Sequence, residues 1–253
     1  MRVKYALSLI REFTIVELKL RYQGSVLGYF WSLLNPLLML ATLYIVFSLI
    51  TKFDVENYQL YLLLGILIWN FLSEATNGSM ISLVNKSGLI KTFNFPSETI
   101  IISSCLAALI TFLINFIIFF LFMLIFKVTL SFKLLLFPVY LLQLFIFVLG
   151  TSFLLSALYV KYRDMIYIWS FVLLIGFFAT PIIYPIYIIP FEYLKYYLLN
   201  PLARMIVDMR DIVLFNYIPD PKNFIITFMI SLLVFVFGYY IFRKNKHSFV
   251  EEI

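Results

Sequence analysis

Few side chains in this 253-residue chain are equipped for chemistry, and their spacing argues against a catalytic centre. The single His247 stands in the C-terminal tail, too isolated for a zinc or haem site built on histidine. A lone Cys105 excludes an intramolecular disulfide. No loop of the form Gly, four residues, Gly-Lys-Ser/Thr occurs, so ATP is not bound by that route. Arg163 and Asp164 adjoin in a short polar turn, where a charge pair is ordinarily structural. Asn35, Asn70, Asn115 and Gln143 lie within or at the ends of apolar stretches, and bonding between helices suits them better than chemistry.

The elements that would position these groups are apolar. Hydrophobic residues make up 64% of the chain and charged ones 13%, well below the quarter usual in soluble domains. Six stretches are candidates to cross a bilayer: Leu27–Ile50, Leu60–Leu72, Ile100–Phe126, Leu134–Tyr159, Ile166–Ile183 and Phe224–Phe242. The second is short and needs residues from its Ser73 side. None holds a charge centrally, so coupled ion transport and intramembrane catalysis lack their ionisable groups. Any work done must be powered by a partner. The reading is an all-α membrane protein of one domain, residues 1–253, with no room for a separate soluble domain.

Orientation follows from the basic residues. The N-terminal segment, Ser73–Glu98, Lys161–Asp164 and the C-terminal tail hold 12, against 7 in Thr51–Gln59, Lys127–Lys133 and Tyr184–Lys222. Both termini are therefore expected in the cytoplasm of a multi-pass plasma-membrane protein. The net charge of +6 is explained by this topology and does not call for nucleic acid. Arg2 and Lys4 precede too short an apolar run for a signal peptide.

Residues 1–25 contain an interface helix. Lys4, Ser8, Arg11, Glu12 and Lys19 share one face, and Val3, Ala6, Leu9, Ile10, Phe13, Val16 and Leu20 lie opposite. Glu17 and Arg21 spoil that pattern, and Gln23-Gly24-Ser25 with Gly28 forms an elbow. In the 73–98 segment, Asn77-Gly78-Ser79 is expected to start a short helix and Asn85-Lys86-Ser87-Gly88 to break it. Leu89, Ile90, Phe93 and Phe95 beside Lys86 and Lys91 suit either a docking surface or a lipid contact. In 184–222, Pro190 and Pro201 leave pieces too short to span. Asn200-Pro201 is a good helix start, and Arg204 and Asp208 stand four apart, able to pair. Charges there favour amphipathic helices folded at the outer face, as a gate or as plain packing.

Aromatic residues make up 20% of the chain. Tyr22, Tyr29, Trp31, Tyr58, Tyr61, Tyr159 and Tyr162 fit interfacial belts. Tyr44, Trp69, Tyr140, Tyr167 and Trp169 could face a pore, where rings stack on sugar faces, or could meet lipid and neighbouring helices.

Three stretches carry a family resemblance. They are Leu18–Pro36, containing Trp31-Ser32-Leu33-Leu34-Asn35-Pro36; Asn85–Pro96; and Tyr162-Arg163-Asp164 with Thr180–Pro185, Asn200-Pro201 and Arg210-Asp211. In order and spacing they resemble the membrane subunit of ABC-2 type exporters, in the branch that exports O-antigen or teichoic acid. Thr180 stands where that family often has Ser. The resemblance implies a homodimer over two cytosolic P-loop ATPase subunits, which would hold the ATP and magnesium; this chain would bind no cofactor or metal. It implies that Asn85, Lys86, Leu89, Ile90, Lys91, Phe93, Phe95 and Pro96 couple to the ATPase. Tyr29, Trp31, Tyr44, Trp69, Tyr140, Tyr167 and Trp169 would line the path of a lipid-linked polysaccharide. Pro181, Tyr184, Pro185, Asn200 and Pro201 would belong to re-entrant outer gate helices.

The expected function is thus an ATP-driven polysaccharide channel subunit of the inner membrane, without catalysis of its own. An ABC-2 exporter of a drug or lipid is the alternative, and a membrane transferase for lipid-linked sugars a more distant one.

Overall fold

The computed structural model describes residues 2–21, 23–25, 27–50, 53–92 and 95–246, and every regular element among them is helical. Tyr22, Phe93 and His247, singled out above, lie outside the described residues. In chain order the α-helices are α1 (Arg2–Arg21), α2 (Phe30–Ile50), α3 (Tyr58–Asn85), α4 (Ser87–Thr92), α5 (Glu98–Ile125), α6 (Phe137–Lys161), α7 (Met165–Ala179), α8 (Phe191–Tyr197), α9 (Pro201–Val213) and α10 (Pro221–Asn245). Among them α2, α3, α5, α6 and α10 are long and apolar enough to cross a membrane.

Helix α3 forms the centre. From Leu60 to Trp69 every residue is buried, as befits a helix apolar on all sides. The expected span Leu60–Leu72 is only the N-terminal half of this 28-residue helix, which continues past Ser73 as its shortness required. Asn77-Gly78-Ser79 lies inside α3 and does not start a new helix. The reason is local: the Thr76 hydroxyl donates to the Leu72 carbonyl at 2.7 Å and Ser79 to Ala75 at 2.6 Å, so the polar run is satisfied by its own helix. Lys86 ends α3, and the short α4 follows, as the Asn85–Gly88 break suggests.

Helix α7 corrects another expectation. The stretch Ile166–Ile183 yields a helix of only 15 residues, about 22 Å long, against a hydrocarbon thickness of about 30 Å. It stops at Ala179 because Pro181 has no N–H to donate and disfavours helical backbone at Thr180. The elbow before α2 is made by Gly24 and Gly28, both at positive φ.

Helices α6 and α10 meet at Gly150 and Gly238. A Cβ on Gly150 would fall on the Phe235 backbone, and one on Gly238 on the Gly150 carbonyl. Only glycine permits this approach. Gly238→Ala is expected to destabilise the seam by about 1–3 kcal/mol, read as a lower thermal midpoint in detergent. An unchanged midpoint would show that the two helices separate freely.

Side-chain bonds sort the connections onto two ends of the bundle. At one end α1 meets α3 and α5, and Lys246 Nζ pairs with Glu98 at 2.8 Å. At the other, Asn216 Nδ2 donates to the Thr129 carbonyl at 3.0 Å and Tyr187 Oη to the Asp54 carbonyl at 3.4 Å. The N-terminal helix, the 73–98 segment and the C-terminal end thus share one end, and Thr51–Gln59, Lys127–Lys133 and Tyr184–Lys222 the other.

Candidate functional site

Two polar constructions stand at the two ends of the bundle. At the α1 end, the face assigned to solvent is borne out: Lys4, Ser8, Arg11, Glu12 and Lys19 are exposed. Glu17 and Arg21, which break the amphipathic pattern, are the residues that fasten α1. The Glu17 carboxylate accepts from the Ser82 hydroxyl and from Lys86 Nζ at 3.3 Å. Arg21 pairs with Glu74 and reaches the Thr111 hydroxyl at 3.4 Å. Burial raises the Glu17 pKa above its ordinary value, and the nearby Lys86 and Arg21 charges partly oppose that rise.

This attachment holds both flanks of α4. Lys86 Nζ lies 5.3 Å from the Phe13 ring centroid, and the same ring meets Phe95 at 5.7 Å. Between these anchors Asn85, Leu89 and Lys91 face outward, with Leu89 40% exposed. Ile90 turns inward against the core, and Pro96 is exposed.

At the α9 end the chain leaves α7 through Thr180–Pro185. Its four successive carbonyls from Pro181 to Tyr184 each accept a bond from a distant side chain. Arg210 Nη1 donates to Pro181, Arg210 Nη2 to Ile182 at 2.9 Å, Tyr58 Oη to Ile183 at 2.8 Å and Tyr61 Oη to Tyr184 at 3.1 Å. Arg210 also donates from Nε (3.1 Å) and Nη2 (2.8 Å) to the Tyr61 carbonyl, and its guanidinium lies 3.4 Å from the centroid of the Tyr61 ring. Irregular backbone deep in a membrane protein must be satisfied by such partners, since lipid offers none. Arg210 is only 1% exposed. Gly65 leaves room for it, because a Cβ there would overlap Nη2.

Helix α9 starts as its sequence suggests. Asn200 Oδ1 accepts from the Leu202 and Ala203 amides at 3.1 and 3.5 Å, with Pro201 in the first turn. Pro181 and Pro185 are buried beside it, and Tyr184 is half-buried.

Residues 9–214 match the ABC-2 type transporter family. The chain belongs to that family. It is similar over nearly its whole length to O-antigen export system permease proteins RfbA. One from Klebsiella pneumoniae is 31% identical over 99% of this chain and 98% of its own. Another, from Myxococcus xanthus, is 28% identical over 94% and 92%. The polysialic acid transport protein KpsM of Escherichia coli is 26% identical over 92% and 91%. The chain is therefore a multi-pass membrane permease component of a transporter, not an enzyme.

The ABC-2 permease does not gather its seven singled-out aromatics on one surface. Trp31 and Tyr167 are exposed, Tyr167 to 75%. Tyr29 is half-buried, its hydroxyl 3.3 Å from that of Thr111. Tyr44 tilts against Tyr58 at 6.3 Å. Trp69 is buried edge-on to Phe177 at 5.8 Å, and Trp169 Nε1 donates to the Thr76 hydroxyl at 2.8 Å; both belong to the α3–α7 seam. Tyr140 is buried against Phe224 at 4.9 Å. Trp69 and Tyr140 thus meet side chains and leave no face open to a channel in this conformation. Asn115 also differs from expectation: its Nδ2 bonds within its own helix, to the Thr111 carbonyl at 2.9 Å.

Charge at the α9 end is set by burial. Desolvation pushes the Asp208 carboxyl up to about 7, with Arg204 opposing and Asp211 reinforcing the shift. Asp211 rises to about 6 for the same first reason, opposed by Arg210 and Arg204. Burial lowers Arg210 to about 10, so it stays protonated at neutral pH. Arg204 and Asp208, expected as a pair, form no ion pair among the described residues. A carboxyl with a raised native pKa stabilises the fold below its unfolded value and loses that contribution as pH rises through the native one. Asp208→Asn is therefore expected to stabilise the permease by about 1–3 kcal/mol at pH 8 and to change little at pH 4. Thermal midpoints at the two pH values check this; equal effects at both would contradict it.

Proposed function

We propose that this ABC-2 permease is the membrane-spanning subunit of an ATP-driven exporter of lipid-linked polysaccharide. Near full-length similarity to O-antigen and polysialic acid export proteins carries the reading. The working unit is a homodimer with two cytosolic ATPase subunits, which hold the ATP and magnesium. Each chain contributes six crossings, the five long helices and a sixth in which α7 is completed by the Thr180–Ile183 run, and both termini lie in the cytoplasm. That orientation puts the more basic end inside.

Residues 85–96 then dock on the ATPase. Leu89 and Lys91 make the contact, while Glu17 and Phe13 hold the flanks of α4 to the interface helix. Residues 184–222 form the outer gate, with α8 and α9 as its re-entrant helices. Trp31 and Tyr167 are the aromatic positions best exposed to meet a polymer between two chains, and Tyr29, Tyr44 and Trp169 are half-buried. A neutral aromatic surface suits a sliding sugar chain, because stacking tolerates many registers.

The test is to purify the tagged chain with its co-purifying ATPase and reconstitute both in vesicles loaded with lipid-linked polysaccharide. ATP-dependent passage of the polymer is expected. A complex that hydrolyses ATP but moves only small lipids or drugs would overturn the substrate, and a chain that captures no ATPase would overturn the exporter.

A further inference from the structure

The two helices of the outer segment are held very differently. Helix α9 is fixed along its length. Leu202, Met205, Ile206, Met209 and Ile212 are buried, and Arg210 ties it to α3 and to the turn after α7. Its far side is fastened too: Lys133 Nζ donates to the Asn216 carbonyl at 2.6 Å, and Asn216 Nδ2 to the Thr129 hydroxyl at 2.8 Å.

Helix α8 has none of this. It buries no residue, and Phe191 is 89% exposed. A groove of about 740 Å³ opens between α8 and α10, floored by Leu194, Leu198, Ile226 and Ile230. Among the described residues, one side-chain hydrogen bond holds α8. It joins the Tyr197 and Tyr184 hydroxyls at 3.1 Å. Because Tyr184 Oη already donates to the Phe178 carbonyl at 3.0 Å, Tyr197 is the donor. Pro190 precedes α8, and the Leu198–Asn200 turn follows it.

We infer that the outer gate has one fixed post and one moving leaf: α8 swings over the groove while α9 stays locked, and the Tyr197–Tyr184 hydroxyl pair is the latch. The inference rests on reading residues 184–222 as a gate. Its physical basis is the disparity in what each motion breaks. Moving α9 strands the carbonyls of Pro181 and Ile182, which have no other donor, and strips the Tyr61 carbonyl of the bonds it accepts beyond its own helix. Moving α8 breaks one half-buried hydroxyl bond and withdraws no buried side chain of its own.

Hydrogen exchange on the intact permease–ATPase complex in vesicles tests it, without nucleotide and during ATP turnover. Backbone amides of Tyr193–Leu198 are expected to exchange at least about 10-fold faster during turnover, with those of Met205–Val213 unchanged. Without nucleotide, Tyr197→Phe should speed α8 exchange about 3- to 10-fold, the effect of one net hydrogen bond, and leave α9 protected. Joint acceleration of α8 and α9, or of α9 alone, would overturn the inference, as would an α8 unmoved by both turnover and Tyr197→Phe. Phosphate release is followed in the same samples. A complex that hydrolyses no ATP refutes the exporter reading, and the nucleotide-free comparison still decides between leaf and post.

Discussion

Arg210→Met is expected to be among the most damaging single substitutions in this permease, because Arg210 is buried and fastens three elements of the chain. It removes the donors that serve the carbonyls of Tyr61, Pro181 and Ile182. The Tyr61 carbonyl keeps its bond within α3, but those of Pro181 and Ile182 are stranded, each at about 1–3 kcal/mol, so the loss reaches several kcal/mol, comparable with the whole stability of many domains. Arg210→Lys should restore little of it. An ammonium on a flexible stem cannot match a planar fork that bonds three carbonyls while stacked on Tyr61. Gly65→Ala attacks the same contact without removing the charge, because its Cβ would displace Nη2. The checks are the yield of monodisperse protein and its thermal midpoint in detergent. An Arg210→Met protein that melts with wild type would mean that water reaches these carbonyls and the clamp contributes nothing.

Leu89→Asp is expected to act in the opposite way, sparing the fold and abolishing transport. Leu89 is 40% exposed and faces outward on α4, so the change buries no charge within this chain. In the proposed complex it would place a carboxylate in an apolar contact, costing about 2 kcal/mol or more of docking energy. Export should fall at least about 30-fold while ATP hydrolysis by the partner persists. Hydrolysis and polymer passage measured on one vesicle preparation separate coupling from assembly. Wild-type export by Leu89→Asp would remove α4 from the transmission path. Ile90→Asp would be a poor substitute, since Ile90 faces the core and its loss would confound folding with coupling.

Residues that act locally were legible from sequence. The Asn200-Pro201 start of α9, the solvent face of α1, the elbow at Gly24 and Gly28 and the break after Asn85 all depend on neighbours within about four residues. The length of α3 was not legible. Its polar run looks like a loop until Thr76 and Ser79 are seen bonding back to their own helix, Thr76 beneath Trp169 of α7 and Ser79 beside Cys105 of α5. Glu17 and Arg21 were visible as exceptions to a periodic pattern, and such exceptions were the available signal. A charge on the apolar face of an otherwise regular amphipathic helix has to find a partner or leave the surface.

By itself the sequence determined that this chain is a helical membrane protein with an amphipathic first helix, that its connections fall into two groups of unequal basic charge, and that it carries no nucleotide-binding phosphate loop. Those properties follow from hydropathy, helical period, caps and counts, which are properties of segments. Tertiary structure alone decided which partners the polar residues take. Arg210 meets Tyr61 across 149 positions, Glu17 meets Ser82 across 65, and Trp69 and Tyr140 turn inward instead of toward a path. An aromatic or a charge is equally compatible with lipid, core or channel until neighbouring helices are placed. Its contacts are chosen by the cost of leaving polar groups unsatisfied and by the space that Gly65, Gly150 and Gly238 leave open, and both exist only in the folded bundle.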